Sequence, residues 1–384
     1  MTSLPGDLHA RRPSVYLDQW VWFRLAAAAK GKPRETGDSA LLEAVRRASN
    51  VGVAFPLSAT HYIETSKVTA HRQRADLSNV MAPVSHCRSL RSRRALLRDQ
   101  MLTAMHESFG RPTFRPEPSE PLGIGVHWAF LGEQYQLNVH APKTISAAAK
   151  AALPPDVLCR MMQWAETQFL AGPRDDEVEK LRRKYGYRPE ETGKATASRL
   201  EWEELYVGLL RNDPISRAEL RVRVQAREVI HEHLELLTEL FHEYRLSFDR
   251  LMGGLRDQPG SARSRMTAFW DSLPSVRIAV DMKAELFRNS SKTWTFNDLH
   301  DIDFLSFAVP YCHVVVADKA AVDSLRRTHA DERNGTRVIC RLPELIHVLP
   351  DLERAAGGLG GDASGWDWLA PGVGFDPLPP DAIR

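Results

Sequence analysis

Short apolar runs that end in an acidic residue, one near each end of the chain, constrain this fold most. Val15-Tyr16-Leu17 runs straight into Asp18, and Val314-Val315-Val316-Ala317 runs into Asp318. Runs this short and this apolar read as strands buried on both faces, as in parallel sheets. Between residues 1 and 110 they alternate with helical patterns. A helix follows from Trp20 to Lys30, another starts at Asp38 and runs to about Asn50, and a strand at Val53–Phe55 precedes Ser58, a cap for the helix carrying Glu64. That alternation indicates βαβ units and a parallel sheet. An arginine-rich helix is expected from about Ser85 to Ser108, ahead of a Pro-rich break at 111–118.

From about 126 to 272 the pattern is helical throughout. Its clearest piece, Ser216 to Met252, carries Ile230, Leu234, Leu237, Phe241 and Tyr244 at spacings of three and four, a seam for packing on another helix. The α/β pattern then returns: helix Ser275–Phe287, helix from Asn297, strand His313–Ala317, helix Ala321–Arg327, strand Val338–Cys340. The economical organisation is one α/β domain built from 1–110 and 275–350. An all-α insertion at 126–272 interrupts it, and a Gly/Pro-rich tail follows at 351–384. Right-handed crossovers place Asp18 and Asp318 at the ends of adjacent parallel strands.

Composition narrows the function classes. No apolar stretch approaches the roughly 20 residues of a membrane helix, and Met1-Thr2-Ser3-Leu4-Pro5-Gly6-Asp7 lacks a signal-peptide core. Cys87, Cys159, Cys312 and Cys340 form no Cys-x-x-Cys pair, so reduced, mostly buried thiols in a cytoplasmic protein are expected. Net charge is only +2, yet residues 1–110 hold 16 Lys and Arg against 9 Asp and Glu, which suits an anionic ligand near that segment. No Gly-rich loop ends in Gly-Lys-Ser/Thr, so ATP hydrolysis is not indicated.

Four acids carry the chemistry. Asp18, Glu64, Asp301 and Asp318 all belong near the carboxyl ends of the strands, where ligands bind in open parallel sheets. Carboxylates gathered there suit hard cations, Mg²⁺ or Mn²⁺. Asp298 lies three residues before Asp301 on the same helix face and is a candidate auxiliary ligand, or a charge favoured at a helix start. Asp303 lies about 200° round the helix from Asp301, so it points elsewhere, paired with His300, and Asp303→Asn is expected to be nearly silent in catalysis. Asp318 has a second reading as the N-cap of the next helix.

The order and element types of these motifs resemble the PIN-like nuclease superfamily: an Asp ending the first strand (Leu17-Asp18), a Glu in the helix after the second (Tyr62-Ile63-Glu64), an Asp ahead of small residues in a later helix (Asp301 to Ala308), and an Asp after a β-branched strand (Ala317-Asp318). The likeness covers about half the chain. It implies a three-layer α/β/α fold and a metal-dependent endoribonuclease hydrolysing RNA with Mg²⁺ or Mn²⁺ at Asp18, Glu64, Asp301 and Asp318. Many members carry Thr or Ser just before the fourth acid, where this chain has Val316-Ala317. That departure, with the size of the insertion, also fits a catalytically silent PIN-like scaffold that binds RNA, a partner protein or a second copy through the insertion. Arg91, Arg94 and Arg98 form one helical stripe able to track a phosphate backbone, with a solvated face as the equal alternative.

Other motifs read as structural. Trp20 stands where strand-end-Asp phosphatases need a second Asp. His231-Glu232-His233 lacks ligand spacing and reads as solvated helix. His61, one turn before Glu64, reads as packed or exposed rather than phosphate-binding, and Trp20, Trp22 and Phe23 as core.

Overall fold

The computed structural model describes residues 12–117, 120–133, 155–212, 215–246, 261–289 and 292–358. Helices dominate, gathered about a small parallel sheet, so the class is mixed α/β. Strand β1 (Val15–Leu17) pairs in parallel with β4 (Val314–Val316), and β4 with β5 (Arg337–Ile339). Leu17 registers with Val316. Strands β2 (Arg88–Leu90) and β3 (Leu122–Ile124) form a separate antiparallel pair. Residues 54–57 join the two groups through single parallel bridges, Ser14 to Ala54 and Leu57 to Ser89. The backbones therefore lie in the order β3, β2, 54–57, β1, β4, β5.

The strands are buried on both sides because their residues alternate between two cores. Val15, Leu17, Val314, Val316 and Ile339 enter one cluster with helices Gln19–Ala29, Asp38–Asn50, His71–Ser85 and Leu342–Gly358. Tyr16, Val315 and Val338 enter the other with helices Arg93–Phe109, Pro274–Arg288, Phe296–Tyr311 and Lys319–Arg327. The inserted helices are part of these cores. Val207, Leu220, Val224, Leu236, Leu237 and Leu240 join the Val315 cluster. Helix Pro155–Ala171 packs on the opposite side, tied down by Arg74 Nε to Ala171 O at 2.7 Å and Ser78 Oγ to Thr167 O at 2.7 Å.

Three expectations need correction. The basic segment from Ser85 is not one helix: His86 and Cys87 adopt left-handed φ of 50° and 55°, ending helix His71–Ser85, and β2 intervenes before Arg93. The tail begins later than 351, because helix Leu342–Gly358 runs through it; 359–384 lies outside the described residues. The seam is displaced. Ile230 and Leu234 are 60% and 46% exposed, while Leu236, Leu237 and Leu240 are buried. A π turn at Val229–His233 separates helices Arg217–Glu228 and Leu234–Glu243. Its i→i+5 bonding consumes an extra residue, so the buried face steps from Glu228 to His233 instead of following the three-four rhythm. Among the described residues, no helix is long and apolar enough to cross a membrane.

Candidate metal centre at the strand ends

Pairing of β1 with β4 delivers Asp18 and Asp318 to the same edge of the sheet, with the Asp18 N–H donating to Val316 O at 3.0 Å. Glu64 arrives on helix Ala59–Lys67, whose first turn is closed by a capping box. The Ser58 N–H donates to His61 Nδ1 at 3.0 Å, and His61 Nε2–H donates to Leu17 O at 2.7 Å. Those two bonds fix the ring tautomer, and burial, outweighing the Leu17 bond, pushes its pKa down to about 4 and keeps it neutral. His61 is thus a packed brace that pins the Glu64 helix to the end of β1. Gln19 Nε2 donates to Thr65 Oγ1 at 3.1 Å, a second tie between the residues that follow Asp18 and Glu64. Tyr16 completes the support, its hydroxyl 2.8 Å from Ser58 Oγ and its ring 5.4 Å from that of Phe304 on the Asp301 helix.

Burial and crowding among acids dominate the electrostatics at Asp18 and Asp301. Burial, then Glu64 and Asp318, push Asp18 up to about 7, although the N–H groups of Gln19 and Trp20 partly offset this. Burial, then Asp18, Asp318, Asp298 and Glu64, push Asp301 up to about 8. Burial also raises Glu64, with Lys67 pulling back. Among the described residues, no arginine or lysine forms an ion pair with Asp18 or Asp301. Nor are any three His, Cys, Asp or Glu side chains among them gathered tightly enough to hold a metal ion together. The carboxylates feel one another without closing into a cage, as like charges do when nothing positive lies between them. As a donor set, all-oxygen and acidic, with no basic side chain paired to Asp18 or Asp301, they fit a hard divalent cation.

The outer acids are more committed. Asp318 Oδ1 accepts the Ala321 N–H at 2.8 Å and caps helix Lys319–Arg327, so its capping role is real and only its second oxygen is left over. Asp298 Oδ2 accepts from the N–H and hydroxyl of Thr295 at 2.8 and 2.6 Å, and Oδ1 meets Lys292 Nζ at 2.8 Å. Both of its oxygens hold the helix start.

Asp303 is held by arginines on other helices, which gives it a structural part away from the acid cluster. It receives a two-pronged bond from Arg199 at 2.7 and 3.0 Å and lies 2.8 Å from Arg93. His300 is bonded to Lys67 Nζ at 2.8 Å rather than to Asp303. The arginine stripe is likewise engaged. Arg91 meets Asp99 at 3.0 Å and lies over Trp128, Arg94 pairs with Glu239, and Arg98 meets Glu243 at 2.6 Å. Glu239 and Glu243 are four apart, matching Arg94 and Arg98, so the stripe docks helix Leu234–Glu243. His233, expected on a solvated face, is buried with its ring 6.1 Å from Trp270. Trp22 is fully buried, as a core residue should be.

A cavity of about 330 Å³ lies elsewhere, lined by Arg199, Trp202, Glu203, Arg227, Glu228 and Lys283 among others. Its charges neutralise one another: Lys283 Nζ sits 3.0 Å from Glu203 and 2.5 Å from Glu228. Self-compensated charge of this kind holds helices together and leaves no reactive group over, so the strand-end acids remain the candidate site. Sequence reading missed His61, Gln19 and Thr65 as the braces of that site. The Ser58–His61 spacing was the one available signal, a capping box with His in place of Glu or Gln. Comparison of the chain with protein-family models, with curated proteins and with solved structures found no match.

Proposed function

We propose that this protein is a metal-dependent endoribonuclease with a PIN-like three-layer α/β/α core, in which Asp18, Glu64 and Asp301 hold Mg²⁺ or Mn²⁺ and the second oxygen of Asp318 lies alongside. The observation that carries the reading is the parallel pairing of β1 with β4, which sets Asp18 and Asp318 at neighbouring strand ends, where the acids act on one another and no base pairs with Asp18 or Asp301. A bound cation supplies an activated water and offsets the charge that develops on the phosphoryl group. The chain's own contribution is rigidity. His61, Gln19 and Thr65 fix the Glu64 helix against Asp18, and the Asp298 capping box fixes the helix of Asp301. Such bracing holds acids that would otherwise repel apart.

A silent PIN-like scaffold is the second reading. It is favoured by the engagement of Asp318 Oδ1 and Asp298 Oδ2 in helix caps and of Asp298 Oδ1 in an ion pair with Lys292. Cleavage of labelled single-stranded RNA with Mn²⁺ or with EDTA separates the two. Nuclease activity requires the cation, and Asp18→Asn or Asp301→Asn lowers it by about 100-fold or more, the scale of removing one charge-stabilising group, while the circular dichroism spectrum stays unchanged. Cleavage that survives chelation or the Asp301→Asn change overturns the site. An absence of cleavage together with no Mn²⁺-dependent rise in melting temperature supports the scaffold.

A further inference from the structure

Lys67 follows Glu64 by three residues, so both occupy one face of helix Ala59–Lys67. Its Nζ lies 2.8 Å from Nε2 of His300, the residue immediately before Asp301. An ammonium group has only protons to give, so Nε2 is the acceptor and the imidazole proton rests on Nδ1. The pairing is uncommon in this molecule. Arg91, Arg93, Arg94, Arg98 and Arg199 all meet carboxylates. Exposed Lys67 meets a neutral ring and, among the described residues, has no carboxylate within ion-pairing distance. A carboxylate partner would cancel its charge. A buried histidine orients the ammonium without cancelling its charge, which lies close enough to act on Glu64 of the cluster.

An anionic polymer approaching the strand ends meets Asp18, Glu64 and Asp301 first as repulsion. A cation at the rim offsets it, and one locked to the helix of Asp301 also sets the register of whatever it binds. We infer that Lys67, held by His300, is the binding point for a backbone phosphate of single-stranded RNA at the rim of the carboxylate cluster. The identity of the ligand rests on the nuclease reading above; the anion site itself rests on the Lys67–His300 geometry. Lys67 touches the phosphate, and His300 is a positioning residue.

The test is fluorescence anisotropy with a labelled single-stranded RNA, in the Asp301→Asn background so that the probe stays intact, across a salt titration. Lys67→Met weakens binding about fivefold at low salt and reduces the slope of log affinity against log salt by about 0.7, one phosphate contact on a single strand. Its melting temperature stays that of the parent, because the side chain is exposed. His300→Leu loses part of the affinity, and His300→Gln, whose amide oxygen still accepts from Lys67, restores most of it. Unchanged affinity and slope in Lys67→Met overturn the inference, as does a parent protein that binds no RNA. A parent that binds RNA through Lys67, while the Asp301 form cuts none in Mn²⁺, overturns the nuclease reading and leaves this one standing.

Discussion

Asp301 and Asp303 sit two residues apart on one helix and meet opposite fates. Asp301 turns toward Asp18, Glu64 and Asp318, and burial plus these acids lift it to about 8. Burial would also raise Asp303, but Arg93 and Arg199 overcome it and hold that carboxyl well below its usual range. Burial is common to both, so it does not separate a structural acid from a candidate ligand. Pairing does. A charge whose partner is built in has finished its work at folding, whereas a charge facing its own kind is stabilised only by something that arrives later.

The strongest way to break that comparison is to remove each charge while keeping its shape. Asp303→Asn leaves Arg199 facing a neutral amide and cuts the tie between helix Glu190–Asn212 and helix Phe296–Tyr311. The expected cost is about 3 kcal/mol in urea denaturation, at the low end for one side of a buried pair because Arg93 retains access to water. Asp301→Asn, measured in EDTA, should cost nothing or stabilise, since it removes a carboxyl that burial and neighbouring acids make costly to ionise. Similar losses for both variants would abolish the distinction.

Glu166 sharpens it as a third case, a buried carboxyl with neither arginine nor fellow acids. On helix Pro155–Ala171 it accepts the Val126 N–H at 2.9 Å. It presses against Gly125, whose φ of +84° and contact with the carboxylate leave no room for a side chain. Burial pushes it up to about 7, against the Val126 N–H and Tyr62 hydroxyl that pull it down. A raised carboxyl stabilises the fold fully below its unfolded value near 4.5 and loses that contribution as pH rises through about 7. Glu166→Gln should therefore be more stable than the parent at pH 8 by about 2–3 kcal/mol and lose the pH dependence between roughly 4.5 and 7. Parallel pH profiles for the two proteins would show that Glu166 titrates normally.

The uneven legibility of the sequence follows the same division between local and distant partners. β1, β4, helix Asp38–Asn50 and the Ser58 cap were readable because burial on both faces and capping are written into neighbouring residues. β2 was not, because a left-handed turn at His86 and Cys87 that no glycine announces sets it up, nor was β3, whose Leu122-Gly123-Ile124 lacks a continuous apolar run. The π turn at Val229–His233 moved the buried seam by one position, which a fixed helical period does not register. At the site, the acids at the ends of the apolar runs were legible as a set. Helical spacing gave the face of Asp303 and His300 but not what stood opposite, which came from Arg199 and Lys67 on other helices.

The arginine stripe offers the smallest and most discriminating effect. Arg94 and Arg98 looked like a phosphate track because their charges share a face, yet Glu239 and Glu243, some 145 residues on, match them pair for pair. Exposed pairs contribute little. The double change Arg94→Ala with Arg98→Ala should cost about 1 kcal/mol or less, shrinking further as salt rises, because solvent and ions screen both bonds. Its effect on RNA affinity should fall below that of Lys67→Met, since a guanidinium already facing a carboxylate releases few counterions on meeting a phosphate. Anisotropy titrations of the two variants side by side decide the ranking. If the arginine pair proves the larger determinant of affinity and salt slope, those ion pairs open on binding. The boundary between paired and unpaired charge would then be one that the ligand redraws.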